Sequence, residues 1–168
     1  MSTVDYSTVF LEFVRTTLVD SPDPPTPSGA VCVLANAAAV EALANRYFFC
    51  LDRLPEFDHL KPMSKIETLA DIAGQRIDWG RAPWQQVARL VRVRNWLAHY
   101  KEARGETELV GIAGHRASKF DPAGDLSWNA IRGYYEATRE GFVTLGRGLG
   151  LDETEFGFLN DEDYKRQL

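Results

Sequence analysis

Three histidines and two cysteines are all that this 168-residue chain offers as soft metal ligands. His59 and His115 have no second ligand at metal spacing, so no metal site is expected, and no cofactor. No glycine-rich phosphate loop, nucleophile elbow or zinc pattern occurs, which removes the common nucleotide, hydrolase and zinc-site signatures. Cys32 and Cys50 fall on one predicted helix, eighteen residues apart. At about 1.5 Å per residue their separation is roughly 27 Å, too far for a disulfide. Reduced thiols and a cytoplasmic setting are the expectation. The opening residues around Asp5 lack the basic start of a signal peptide. No unbroken apolar run of about 18 residues exists, because Asn36, Glu41, Asn45 and Arg46 interrupt the alanine-rich stretch; no membrane association is expected.

What is present suits a globular domain. Hydrophobic residues make up 45% and charged residues 26% of the chain, ordinary shares for such a protein. A chain of this length buries roughly two-thirds of its unfolded surface without staples. Residues 4–19 read as a helix with Tyr6, Val9, Phe10, Phe13 and Thr17 on one stripe. Pro22, Pro24, Pro25 and Pro27 then break it. Thr26 and Pro27 fit the cap and first turn of a second helix running to about Leu54. Its second half, with Tyr47, Phe48, Phe49 and Leu51, is apolar nearly all round, as in a buried central helix.

Ser64 and Glu67 have capping-box spacing for a short helix that Gly74 ends. Pro83 opens a long helix reaching about Arg104. Residues 106–125 admit a short strand, a hairpin or a loop. Trp128, Ile131, Tyr135, Thr138, Phe142, Leu145 and Leu149 mark a strongly amphipathic last helix, and Asn160 could cap a short tail helix. The expected fold is all-α, an up-and-down bundle of about five helices with room for one short strand or hairpin. Residues 1–25 form an N-terminal helix and proline-rich linker, 26–150 the bundle, and 151–168 an acidic tail.

The net charge of −5 argues against general attraction to nucleic acid. Locally the balance reverses. Arg76, Arg81, Arg89, Arg92, Arg94, Lys101 and Arg104 oppose only Asp78 and Glu102 in one window, while acid collects in Asp152, Glu153, Glu155, Asp161, Glu162 and Asp163. The basic window contains Arg94-Asn95-Trp96-Leu97-Ala98-His99. Arginine grips phosphate oxygens through its planar fork, and neutral histidine accepts a proton near pH 7. At 100° per residue, Arg92 and His99 lie within about 60° of Asn95, so these polar groups share a stripe. Leu90, Val93, Leu97 and Tyr100 point the other way, into the core. Trp84, Val87, Val91 and Ala98 form a second apolar strip, for which a second copy of the chain is the expected partner. Glu41 and Asn45, four apart on the central helix, are placed either to reach towards Arg94 as a buried counter-charge or to make a plain structural hydrogen bond. Tyr134 and Tyr135 read as core rather than as a base-stacking platform.

The stretch RVRNWLAHY resembles the signature of the HEPN superfamily (higher eukaryotes and prokaryotes nucleotide-binding domains): Arg, often followed by Asn, then His four to six residues after the Arg. Arg94, Asn95 and His99 match those positions. The order of elements is also similar, from the alanine-rich AAAVEALAN helix through the SKIETLA helix to the final long helix, over roughly residues 26–150. The resemblance implies a metal-independent endoribonuclease, a toxin or defence RNase, acting as a homodimer whose motif helices meet in one cleft. It implies Arg94, Asn95 and His99 as catalytic residues, with Arg92, Lys101 and Glu41 the candidate substrate-binding residues. RNA is the implied substrate, cleaved by 2′-OH attack to a 2′,3′-cyclic phosphate. An antitoxin or other partner protein is also implied; the subgroup paired with nucleotidyltransferases usually has a Tyr two residues after the His, where this chain has Lys101. Other HEPN domains are non-catalytic interaction or nucleotide-binding modules, the alternative reading here.

Overall fold

The computed structural model describes residues 6–20, 26–99, 121–156 and 159. Among them the fold is all-α. Five longer helices carry it: α1 (Tyr6–Asp20), α2 (Thr26–Cys50), α4 (Pro62–Ile72), α5 (Trp84–His99) and α7 (Trp128–Gly148). Short turns α3 (Leu54–Phe57), α6 (Pro122–Asp125) and α8 (Glu153–Phe156) link or extend them. The strand or hairpin expected around Leu109–Ile112, and the tail helix at Asn160, lie outside the described residues.

α2 is the central helix, packed against α1, α4, α5 and α7. That position explains its composition. Ser28–Cys50 is long and apolar enough to cross a membrane, yet half of its most apolar stretch is buried inside the bundle. Val33, Ala39, Val40, Leu43, Ala44, Tyr47 and Phe48 are wholly buried. Cys32 and Cys50 are both free thiols on this helix. α2 stops at Cys50 rather than Leu54 because Asp52 turns left-handed (φ 56°). Arg53 N–H then donates to Phe48 O at 2.8 Å and Asp52 N–H to Phe49 O at 2.9 Å, the paired bonds of a Schellman ending.

Two local expectations are corrected. On α1 the buried stripe is Ser7, Leu11, Val14 and Leu18, whereas Tyr6, Val9 and Phe13 face outward. Both stripes have helical spacing, and packing against α2 selects the one with compact aliphatic side chains. The Ser64–Glu67 capping box does not form. α4 starts earlier, with Lys61 as N-cap and Pro62 at its first turn. Glu67 instead accepts a 2.8 Å bond from Trp79 Nε1. Gly74 ends α4 as expected, at φ 63°.

α7 closes the bundle. Ser127 caps it, accepting from Ala130 N–H at 3.3 Å and donating to Gly124 O at 2.7 Å. Tyr47 OH on α2 donates to Phe142 O at 2.7 Å, tying the two longest helices at depth. Ile131, Tyr134, Tyr135, Thr138, Phe142 and Leu145 are buried, so both tyrosines belong to the core. Leu11, Val14 and Leu18 of α1 join the same core, as do Phe156 and Leu159.

Candidate functional site

α5 is held differently at its two ends. One face of its first half is buried: Trp84, Val87, Ala88 and Leu90 lie inside, whereas Gln85 is exposed and Gln86, Arg89 and Val91 are half-buried. Trp84 stacks edge-on against Phe142, ring centroids 6.3 Å apart. The apolar strip expected to face a second copy is therefore largely used within the chain. Trp84 and Val87 are core, Val91 is half-buried and only Ala98 is exposed. The second half emerges from the bundle. Val93 remains buried, Leu97 is half-buried, Arg94 and Asn95 are half-buried and Arg92 is exposed.

At this emergent end a polar cluster forms. Arg94 Nη1 donates to Asn95 Oδ1 at 2.9 Å. Arg94 Nη2 lies 3.9 Å from Glu41 Oε2, with both side chains more than a third exposed. Glu41 is thus the counter-charge to Arg94 across the α2–α5 packing. The carboxylate has a second cation. Lys65 Nζ on α4 stands 3.9 Å from Glu41 Oε1. Lys65 is buried, its side chain only 2% exposed, and it donates to Asn45 Oδ1 at 2.7 Å. Asn45 therefore serves Lys65 rather than Arg94. Three helices converge: α2 brings Glu41 and Asn45, α4 brings Lys65, and α5 brings Arg94 and Asn95.

Arg92 is exposed on the neighbouring face of α5. His99 closes α5, one turn beyond Asn95 along the backbone; its side chain, and the whole of Lys101, lie outside the described residues.

Lys65 was invisible to residue-type reasoning, since lysine on a short helix reads as a solvated face. Its position held the clue. Lys65, Ile66, Leu69 and Ala70 have the spacing of one inward stripe, and all four are buried.

A second cluster holds α5 to α6 and α7. Asp125, buried, accepts from Arg89 Nε at 2.6 Å and Tyr134 OH at 3.1 Å on one oxygen, and from Asp121 N–H at 3.0 Å on the other. With its charge and lone pairs so engaged, this carboxylate is a clamp rather than a free base. Burial, then the Asp125 charge, pushes the Tyr134 phenol up to about 12. On the far side of α2, Glu155 Oε2 meets Arg46 Nη2 at 3.1 Å and Cys50 Sγ at 3.4 Å.

Among the described residues no group of three or more His, Cys, Asp or Glu side chains gathers in a metal-binding arrangement. A shallow hollow of about 220 Å³ lies between α1 and α2, lined by Phe13, Thr17, Ser28 and Val31. None of its lining side chains among the described residues is ionisable, and Val31 is ten residues from Glu41, about 15 Å along the helix. The chemistry-bearing groups are at the end of α5, not there. No protein-family model matches the chain, and no curated protein and no solved structure matches it.

Proposed function

We propose that the chain is a HEPN-like, metal-independent endoribonuclease that works as a dimer. The observation that carries this reading is the cluster at the emergent end of α5, where Arg94 and Asn95 meet Glu41 in partial exposure, one turn before His99. His99 would take the proton from a ribose 2′-OH. The 2′-oxygen attacks the adjacent phosphorus, and the bond to the 5′-oxygen of the next nucleotide breaks as that oxygen takes a proton from a second His99, that of the other copy in the dimer. The product end is a 2′,3′-cyclic phosphate. Arg94 stabilises the charge on the phosphoryl oxygens, oriented by Asn95 and Glu41. The need for a 2′-OH restricts the substrate to RNA. A dimer built around the motif helix would use the half of α5 that emerges, with Ala98, since Trp84 and Val87 are already packed inside the chain.

The test is incubation with single-stranded RNA in EDTA. Wild type should cleave, leave cyclic phosphate ends and spare DNA of the same sequence. His99→Ala should lose about 10²–10⁴-fold, the range of a general base. Arg94→Ala should lose about 10²–10³-fold, and Arg94→Lys should recover only part, because an ammonium lacks the fork. Cleavage unchanged in His99→Ala overturns the assignment.

A second reading, a non-catalytic interaction module, is favoured by the outward apolar side chains Tyr6, Val9 and Phe13 of α1 and Val31 and Leu34 of α2. Wild type that cleaves no RNA yet self-associates in light scattering would select it.

A further inference from the structure

We infer that Lys65 is a positioning residue that shares the Glu41 carboxylate with Arg94 and so leaves the cluster one positive charge in excess, carried by Arg94 and available to an oxyanion of a nucleic-acid backbone. The inference rests on the ribonuclease reading for the identity of that anion, and on geometry for the rest.

The charge count is one carboxylate against two cations. Lys65 Nζ stands 3.9 Å from Oε1 and Arg94 Nη2 3.9 Å from Oε2, so the two cations take opposite oxygens of one group. Neither contact is a close bidentate pair. The cations differ in access: the Lys65 side chain is 2% exposed and that of Arg94 35%. Only Arg94 can meet an incoming anion. Asn45 fixes the Lys65 ammonium at 2.7 Å, so the buried charge has a hydrogen-bond partner and keeps its place. Without Lys65, Glu41 would have one cation left, and a carboxylate facing one guanidinium closes on it as a fork. Glu41 would then compete with the RNA phosphate for the same donors. With Lys65 present the carboxylate orients Arg94 without neutralising it.

This arrangement makes a signed prediction that a merely structural Lys65 does not. The binding probe is a fluorescent single-stranded oligonucleotide with 2′-O-methyl sugars, which has phosphates but no nucleophile. Binding is read by anisotropy in EDTA, beside cleavage of the ordinary RNA. Lys65→Met, close in volume, should weaken binding and raise KM by about fivefold, the scale of one partly screened charge contact, with kcat little changed. Glu41→Gln should do the opposite to affinity, tightening binding by a similar factor, while lowering kcat because Arg94 loses its guide. The double variant should bind within about twofold of wild type, since the two changes act on the same charge balance. If Glu41→Gln weakens binding, or Lys65→Met binds as wild type does, the inference is overturned. Glu41→Gln, at a half-exposed position, carries the test even where Lys65→Met fails to fold. Wild type that binds no better than Arg94→Ala also overturns it. If the opposite-signed pattern holds in an uncleaved complex while ordinary RNA survives intact, the charge balance stands and the ribonuclease reading fails.

Discussion

Cys50 illustrates how one neighbour sets a residue's chemistry. Burial, the Glu155 carboxylate that accepts from its thiol and the repulsion of that charge push it from the ordinary 9.0 to about 11. The thiolate is the reactive form, so alkylation by iodoacetamide in the folded protein should show a pH midpoint near 11 and be slow at neutral pH. Glu155→Gln should move the midpoint downward, because it removes the charge; a midpoint near 9 in wild type would contradict the assignment. Residue type made part of the candidate site legible. Arg94, Asn95 and His99 announce themselves by chemistry and spacing, and Glu41 by its place one helix away. Lys65 and Asp125 did not. Their importance comes from burial and from partners 20 or more residues distant, Asn45 for Lys65 and Arg89 for Asp125. No local pattern encodes such partnerships.

Among the elements, the contact between α5 and α7 is set by one missing side chain. A Cβ on Gly141 would lie 2.9 Å from Trp84 Cη2 and 3.0 Å from Cζ3. Gly133, also inside α7, has nothing within 4 Å of such a Cβ. Gly133→Ala should therefore stabilise the fold by about 0.8–1 kcal/mol through helix propensity alone. Gly141→Ala makes the same gain but overpacks the tryptophan at about 1–3 kcal/mol, so its urea midpoint should fall below wild type. Equal shifts in the two variants would refute the close approach. The existence of the helices was legible because their apolar periods are long: α2, α5 and α7 begin within a residue of where the periodicity puts them, and the expected reach of α5 to Arg104 lies outside the described residues. Faces and ends were harder. α1 has two apolar stripes, and only the presence of α2 decides which is buried. The start of α4 at Pro62 overrides a capping-box spacing two residues later, since proline's fixed φ suits a first turn.

For the whole molecule, pH acts through groups that the core keeps neutral. Cys50 is raised to about 11 and Tyr134 to about 12, and burial raises Tyr47 as well. In the unfolded chain these groups ionise near 9–10. Their contribution to stability is therefore complete below about pH 9 and is lost as pH climbs through the folded values. The urea midpoint should fall between pH 8 and pH 10.5. Tyr134→Phe and Cys50→Ser should each flatten that fall, which separates it from the general repulsion of an acidic protein at high pH. A slope unchanged in both variants would rule the explanation out. The core that produces these shifts runs through all five long helices and out to Leu159.

The burial of α5 makes its packing set the aim of Arg94. The helix is gripped from Trp84 to Val93, with Arg89 clamped on Asp125 between them, and Arg94 is the next residue. A slide of about 1 Å in that grip moves the guanidinium by as much, a displacement that in an active site can cost 10²-fold. Mutations in the packing of Trp84 on Phe142, remote from any substrate, should thus be read first as changes of aim.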